Sequence, residues 1–248
     1  MKEIRLNTPA SRQDAIISIH EVSKTFDRPV LKKISLSVEK PQSVFVCGIN
    51  GAGKSTLLKI LAGLLQPDCG SVLINGKCLR KETEQVKSKL GVIMHQSMVY
   101  ADLTVLENLD FFARLYGLPR RQERIASFLE KMGLTAFRYD KASILSRGLL
   151  QRLSIARAMI HEPEVILADE PFTGLDLTST DYLRKMFRHF QDDGGTIILT
   201  THDAAQGLEC SDRVIVVDGG QVIFDRAADQ VDAVLFSKDY LRYSREHQ

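Results

Sequence analysis

A glycine-rich segment, Gly48 to Ser55, constrains this chain more than any other feature. It reads GINGAGKS, which fits the pattern GxxxxGK[ST]. It lies directly after the β-branched run Val44 to Cys47 and before the helical pattern Thr56 to Leu64. Such a loop turns successive backbone N–H groups towards one point, and the following helix directs its positive end to the same place. The segment therefore predicts a strand–loop–helix unit that binds phosphate.

Each polar residue of this loop has a predicted role. Lys54 is expected to bridge the β- and γ-phosphates, and the Ser55 hydroxyl is expected to ligate Mg²⁺. The alternative is a glycine-rich turn with no ligand, which the strand–loop–helix context disfavours. The predicted nucleotide contacts in this segment are Asn50, Gly51, Ala52, Gly53, Lys54, Ser55 and Thr56.

Two carboxylates follow a second apolar run, Val165 to Ala168. In a parallel α/β sheet, ligands bind beyond the carboxyl ends of the strands. Asp169 is therefore predicted to reach the Mg²⁺ ion, and Glu170 is predicted to polarise the water that attacks the γ-phosphate. A solvated acidic turn is the alternative interpretation of this pair.

Two further runs end in polar side chains. His202 follows Ile197 to Thr201, and it is predicted to contact the γ-phosphate. Gln96 follows Val92 to His95, and it is predicted to hydrogen-bond the water shell of the metal. A structural histidine is the alternative at His202.

The order of the runs indicates an α/β fold with a mainly parallel sheet, because short β-branched segments alternate with helical patterns. The partly alternating run Ile16 to Val22 and the turn signal Asn75-Gly76 predict a small antiparallel layer near the N-terminus. After Gln96 the strand pattern gives way to helical periodicity, with capping-box spacing at Thr104 and Glu107.

We therefore predict a single domain over residues 1–248. Its parts are an α/β core in residues 1–96 and 147–224, a helical subdomain in residues 97–146, and a charged, helical tail in residues 225–248.

Composition excludes several classes of protein. The chain has 33 Lys and Arg against 31 Asp and Glu, a net charge of +2, which is far from the concentrated positive charge that nucleic-acid binding requires. No apolar run is long enough to span a membrane, and the N-terminus lacks the apolar region of a secretory signal. Four cysteines show no metal-binding spacing. We expect a cytoplasmic protein without a transmembrane segment or a nucleic-acid partner.

From about Ile16 to Phe224 the chain resembles the nucleotide-binding subunits of ABC transporters. Besides the phosphate loop and the acid pair, Gln96 matches the Q-loop glutamine and His202 the switch histidine. Residues 145–149, LSRGL, match the signature, and residues 173–176, TGLD, match the D-loop. The resemblance implies a P-loop ATPase fold and ATP with Mg²⁺ as cofactors.

The resemblance also assigns contacts that the spacing alone does not. It implies that Phe26 stacks on adenine, a core phenylalanine being the alternative, and it places Asp176 beside the nucleotide. It implies that Ser146 and Gly148 grip the γ-phosphate of ATP on a second subunit, so that two ATP molecules are enclosed head to tail in a dimer. Arg147 and Leu149 depart from the commonest signature, LSGGQ, which removes the contact normally made by the glutamine.

A membrane partner follows from the same resemblance. It places the chain at the inner face of the cell membrane, attached to an integral transporter subunit. An apolar set in the helical segment predicts the contact, although internal packing is the alternative. This set comprises Met98, Val99, Tyr100, Leu103, Phe111, Phe112 and Leu115.

Within the family, residues 95–118 and 146–157 are most similar to the haem-exporter ATPases of cytochrome c maturation. The resemblance thus implies ATP-driven export, with haem as the cargo. Multidrug or lipid exporters share much of this pattern and form one alternative. A soluble ABC ATPase that serves as an assembly scaffold is another, and a nucleic-acid-associated P-loop ATPase is a third that the charge disfavours.

Overall fold

A computed structural model describes residues 15–232 and residue 236. The strands are β1 (Ala15–Thr25), β2 (Pro29–Glu39), β3 (Ser43–Cys47), β4 (Cys69–Ile74), β5 (Lys77–Cys78), β6 (Leu90–Ile93), β7 (Val165–Asp169), β8 (Thr196–Thr200), β9 (Arg213–Asp218) and β10 (Gln221–Ala227). The α-helices are α1 (Lys54–Leu61), α2 (Thr83–Lys87), α3 (Val105–Leu115), α4 (Arg121–Lys131), α5 (Arg147–Met159), α6 (Leu177–Asp192) and α7 (Ala204–Glu209). Three short 3₁₀ helices, Thr135–Phe137, Ala142–Ile144 and Ala228–Gln230, complete the described chain.

The larger sheet has six strands in the order β10-β9-β3-β8-β7-β6. The five strands from β9 to β6 are parallel, and β10 pairs antiparallel with β9. Every residue of β3, β7 and β8 is buried, as expected for continuous apolar runs covered on both faces. The predicted α/β architecture is confirmed.

The smaller sheet is antiparallel, with the order β2-β1-β4-β5. Asn75 and Gly76 both have positive φ angles, 54° and 73°, and join β4 to β5 as the turn signal predicts. The predicted N-terminal layer is therefore present. The sequence did not predict β2, which with β1 is the longest strand of this sheet, because irregular register interrupts its alternating pattern: Lys33 adopts a positive φ angle of 49°.

Two apolar clusters lie on opposite faces of the larger sheet. One fills the space between the two sheets and includes α1; the other contains side chains of α3, α4, α5 and α6. Between β6 and β7 all the regular elements of the described chain are helices, joined by loops, and Thr104 and Lys141 form an isolated β-bridge. The capping box at the start of α3 is present, since Thr104 Oγ1 accepts from the Glu107 N–H (3.1 Å) and the Glu107 carboxylate accepts from the Thr104 N–H (2.8 Å).

Several boundaries differ from the sequence predictions, and α1 spans Lys54–Leu61 instead of the predicted Thr56 to Leu64. β6 ends at Ile93, so His95 and Gln96 lie in the loop beyond it. β8 is shifted by one residue towards the N-terminus relative to the predicted run. The prediction of a helical tail was wrong at its start, because residues 225–227 pair with β9 as part of β10. Of the residues after Asp232, the structure describes only residue 236, so the rest of the predicted tail lies outside the described residues. No helix in the described part of the chain is long and apolar enough to cross a membrane.

Candidate active site

The phosphate loop is pressed against neighbouring strands at its glycines. Gly53 has φ 106° and begins α1; a Cβ atom there would lie 2.6 Å from Leu31 Cδ2 and 2.9 Å from the Val30 carbonyl oxygen. A Cβ atom on Gly48 would lie 2.1 Å from the Val217 carbonyl oxygen. Only glycine fits at these two positions, so the loop backbone is fixed by β2 and β9.

Lys54 folds back over this loop. Its ammonium group donates to the carbonyl oxygens of Gly48 (2.7 Å) and Ile49 (3.0 Å). Burial lowers the pKa of Lys54 from its ordinary value, and the charge of Glu170 partly opposes that shift. The first turn of α1 has no acidic residue. The positive end of this helix and the Lys54 ammonium group would therefore both attract an anion bound at the loop.

Side-chain oxygen atoms from α1, β7 and β8 meet beside Lys54. Ser55 Oγ donates to Asp169 Oδ1 (3.1 Å), and Thr200 Oγ1 donates to the same oxygen (2.6 Å). The Asp169 side chain is buried, with 5% of its surface exposed. A hydroxyl and a carboxylate on one side, with substrate phosphates on the other, form the oxygen set that Mg²⁺ prefers, so the residues present fit this ion. No cluster of three or more His, Cys, Asp or Glu side chains exists among the described residues as an alternative metal site.

Glu170 and His202 meet because β7 and β8 are adjacent parallel strands. His202 Nδ1 lies 2.9 Å from Glu170 Oε2, and the His202 backbone N–H donates to the same oxygen (3.3 Å). Thr173 Oγ1 is a third donor, at 3.5 Å. Glu170 itself adopts a positive φ of 54°, and its backbone N–H donates to the Thr200 carbonyl (3.1 Å), which fixes the turn that carries the carboxylate.

Two predicted contact residues have exposed side chains. Gln96 is exposed and has no hydrogen bond to another described residue. The Phe26 side chain is 56% exposed, with the Lys24 ammonium 5.5 Å from the ring centre. The alternative of a core phenylalanine was therefore wrong, while adenine stacking stays a prediction. Among the other predicted loop residues, Asn50 and Gly51 are exposed and Ala52 is buried.

The signature and D-loop residues begin two helices. Ser146 Oγ accepts from the Leu149 N–H (3.3 Å) at the start of α5 and caps that helix. Asp176 Oδ1 accepts from the Ser179 N–H (2.6 Å) at the start of α6. Gly148 lies in the first turn of α5, and the Arg147 side chain lies against Gly174, where a Cβ atom would be 2.4 Å from Arg147 Nε.

Sequence reasoning missed two residues of the site. Thr200 binds Asp169, and Thr173 binds Glu170, but no role was assigned to either. The available signal for Thr200 was its place at the end of a buried strand, next to the predicted His202. Thr173 gave no signal beyond its place in the D-loop.

Comparison with known proteins agrees with this geometry. The family profile described as "ABC transporter" matches residues 31–173. The chain belongs to the ABC transporter family. It is an ABC ATPase with a P-loop NTPase fold, and ATP is its nucleotide.

Curated relatives span most of the chain. The ABC transporter ATP-binding protein NatA of Bacillus subtilis (strain 168) is 35% identical over 81% of this chain and 83% of its own length. The phosphonates import ATP-binding protein PhnC of Trichormus variabilis is 32% identical over 89% of this chain and 96% of its own. The Nod factor export ATP-binding protein I of Ralstonia nicotianae is 32% identical over 87% and 68%. Importers and exporters are thus both among the relatives.

Two solved structures are also similar. An ATP-binding subunit of an ABC transporter superposes with a TM-score of 0.83, at 27% identity over 92% of this chain and 98% of that one. An ATP-binding cassette solved as a dimer in a post-hydrolysis state with ADP and Pi superposes with a TM-score of 0.79, at 27% identity over 86% and 98%.

Proposed function

We propose that this chain is the ATP-hydrolysing subunit of an ABC exporter and that it works as a dimer attached to a membrane subunit. The observation that carries the proposal is the convergence of Lys54, Asp169 and Glu170 at the carboxyl ends of β3 and β7, the two strands that flank β8. In this proposal residues 1–248 act as one ATPase domain, with residues 97–146 as its helical subdomain.

Hydrolysis in this site is an in-line attack of water on the γ-phosphorus. Glu170 accepts the proton of the attacking water, and His202, bonded to Oε2, orients that carboxylate. Lys54 exchanges its two loop carbonyls for the β- and γ-phosphate oxygens. Ser55 and Asp169 would hold Mg²⁺, which would supply charge neutralisation on the phosphate oxygens, and Gln96 would hydrogen-bond its water shell. The nucleotide-binding residues proposed are Phe26, Asn50, Gly51, Ala52, Gly53, Thr56, Ser146, Gly148 and Asp176.

A second subunit completes the site in this proposal. The backbone N–H groups at the start of α5 and the exposed Ser146 direct positive potential outwards, with no acidic residue in the first turn. Facing the γ-phosphate of ATP on a second subunit, they hold the dimer closed. Loss of that phosphate on hydrolysis opens it. The dimeric assembly of a structural neighbour with ADP and Pi supports this arrangement.

The helical segment offers an apolar surface for the membrane subunit. Tyr100, Phe111 and Leu115, which we call the docking surface, expose 50%, 40% and 67% of their side chains. The Tyr100 and Phe111 rings contact each other edge to face, with centroids 5.0 Å apart. Of the predicted set, Met98, Val99 and Phe112 pack partly against the core, so internal packing accounts for that part.

We also propose a localisation, a transport direction and a cargo for this chain. Attachment to a membrane subunit places the chain at the inner face of the cell membrane, with no nucleic-acid partner. Export rests on the resemblance of residues 95–118 and 146–157 to exporter ATPases, since the relatives include importers as well. Haem for cytochrome c maturation is the narrowest form of the proposal, and the names of the relatives do not support it. A multidrug or lipid exporter and a soluble assembly scaffold are the alternative functions.

Co-purification from membranes tests the proposal. Leu115→Glu places a charge on the docking surface, so we expect it to abolish ATP-dependent recovery of an integral membrane protein that the wild-type chain retains. Leu64→Glu is the matched control, because Leu64 is 50% exposed but lies after α1, outside the helical segment. Recovery of a soluble complex alone by the wild-type chain would instead support the scaffold alternative.

A further inference from the structure

A buried arginine on α5 contacts two other elements. Arg157 is 7% exposed, and its guanidinium donates to the Val92 carbonyl oxygen of β6. The same group lies 5.4 Å from the ring centre of Phe112 on α3. Arg157 Nε has no hydrogen-bond partner, and no carboxylate in the described part of the chain pairs with this cation.

His161 repeats this arrangement four residues later. Its Nε2 lies 3.0 Å from the Leu90 carbonyl oxygen of β6, and its ring stacks on Tyr116 with centroids 4.0 Å apart and planes 5° apart. His161 Nδ1 is buried without a hydrogen-bond partner. Burial lowers the pKa of His161 to about 4, so the ring is neutral at physiological pH, and burial lowers the pKa of Arg157 to about 10, so the guanidinium stays charged.

The geometry of the sheet explains why these two residues point at β6. This strand is the last of the larger sheet and pairs only with β7. The carbonyl groups of the alternate residues Leu90 and Val92 therefore face away from β7, where no further strand among the described residues donates to them. Arg157 and His161 occupy that edge, and each has an aromatic side chain from α3 or its C-cap on its other face.

Burying the Arg157 cation costs desolvation free energy, and only the Val92 carbonyl oxygen and the Phe112 ring face the guanidinium to offset that cost. We propose that Arg157 and His161 are positioning residues that fasten β6 to α3, so that movement of the docking surface reaches the loop carrying Gln96. Both connected ends are close in sequence to residues of interest: β6 ends three residues before Gln96, and Phe112 is adjacent to Phe111. The inference rests on the proposed function for the roles of Gln96 and the docking surface.

Two substitutions test this connection in the full-length chain. Arg157→Lys keeps the charge but loses the planar face on Phe112, and His161→Gln keeps a donor for Leu90 but loses the stacked ring. We expect each to lower kcat for ATP by about tenfold or more, with KM changed by less than about twofold, because the phosphate loop is untouched. Hydrogen exchange in residues 94–104 should accelerate while exchange in residues 43–61 stays unchanged.

Arg124→Lys is the matched control. Arg124 donates to the Ile160 carbonyl (3.2 Å) and pairs with Glu162 (3.1 Å), but it forms no bond to β6. A residue that only stabilises the fold would lower the melting temperature and leave kcat of the folded enzyme unchanged. Wild-type kcat and wild-type exchange in residues 94–104 for both variants would overturn the proposal, as would an equal loss in the control.

The failure of this inference is distinguishable from failure of the proposed function. If the wild-type chain recovers no membrane protein, the transporter role fails, yet the exchange measurement still reports whether β6 and α3 are connected. If Arg157→Lys does not fold, His161→Gln decides the outcome. Phe112→Leu removes the ring against which Arg157 packs, so it should lower kcat as Arg157→Lys is expected to do. Wild-type kcat and exchange in both His161→Gln and Phe112→Leu would contradict the inference.

Discussion

Three hydrogen-bond donors converge on one oxygen of Glu170, and this convergence follows from where the strands end. His202 supplies its ring nitrogen and its backbone N–H, and Thr173 supplies a hydroxyl. Donors to a carboxylate fix its direction, which is what a general base requires before a proton is transferred. Replacing His202 would therefore release the orientation of Glu170 as well as remove the predicted contact with the γ-phosphate.

Phe26 gives a prediction that separates binding from folding. Since the ring is mostly exposed, Phe26→Ala should leave the melting temperature within about 1–2 °C of the wild type. Loss of stacking on adenine should weaken ATP binding by about 1–3 kcal/mol, which is roughly fivefold to more than hundredfold. Calorimetric titration with ATP measures this change, and Phe26→Tyr is the control that keeps an aromatic face. Unchanged affinity of the alanine variant would remove Phe26 from the site.

Residues of the site were predictable where a local pattern constrains them. The phosphate loop combines glycine conformations with an adjacent strand and helix, and the acid pair follows a run with no polar interruption. Thr200 was missed because a threonine at a strand end is common, and only the packing of β7 beside β8 brings its hydroxyl 2.6 Å from Asp169. Arg157 and His161 were missed because their partners are backbone carbonyls, which carry no sequence signal.

At the scale of elements, the fully buried strands were predictable, whereas two half-exposed strands, β2 and β10, were not. β3, β7 and β8 are continuous apolar runs because both of their faces are covered. β2 has bulges that break its alternation, and β10 is a half-exposed edge strand without a uniform pattern. The Gly219-Gly220 pair is a sequence pattern typical of a hairpin turn and would have predicted that β10 follows β9 in a hairpin. Both residues have positive φ angles, as such a turn requires.

An ion-pair cluster around Glu164 joins three separate segments to the start of β7 and gives a pH-dependent prediction. Glu164, just before β7, binds Lys89 (2.9 Å), Asn75 (2.8 Å) and Lys40 (3.3 Å), which come from three separate segments. Hydrogen bonding by Lys89 is the largest cause that lowers the pKa of Glu164 from 4.5 to about 2. Because the partners are partly exposed, we expect Glu164→Gln to reduce the free energy of unfolding by only about 1 kcal/mol at pH 7.

The sign of the pH dependence follows from the lowered pKa. The stabilisation by Glu164 is complete above its unfolded-state pKa of 4.5, and it is lost as the pH falls towards the folded-state value of about 2. Urea unfolding of wild type and Glu164→Gln should therefore show a difference at pH 7 that shrinks between about pH 5 and pH 2. A difference that grew on acidification would contradict the role of this carboxylate.

At the scale of the whole molecule, the phosphate loop and the signature belong to different helices, α1 and α5, on the two sides of the larger sheet. The phosphate loop and the signature each lead into the N-terminus of a helix whose first turn has no acidic residue, and such a helix end favours an anion. Two copies arranged head to tail would pair one loop with the other signature at each of two nucleotides. In the proposed dimer, each chain therefore supplies one half of each of the two nucleotide sites.

The measurement that tests this account most directly is the molar mass of Glu170→Gln with ATP and Mg²⁺, determined by light scattering. Removing the base should retain ATP binding and reduce turnover by about a hundredfold or more. The bound γ-phosphate should then hold two copies together, so the mass should rise from 27.8 kDa to twice that value, and it should return to 27.8 kDa with ADP. A Glu170→Gln chain that binds ATP but keeps the mass of one copy, or that hydrolyses ATP at the wild-type rate, would contradict the account.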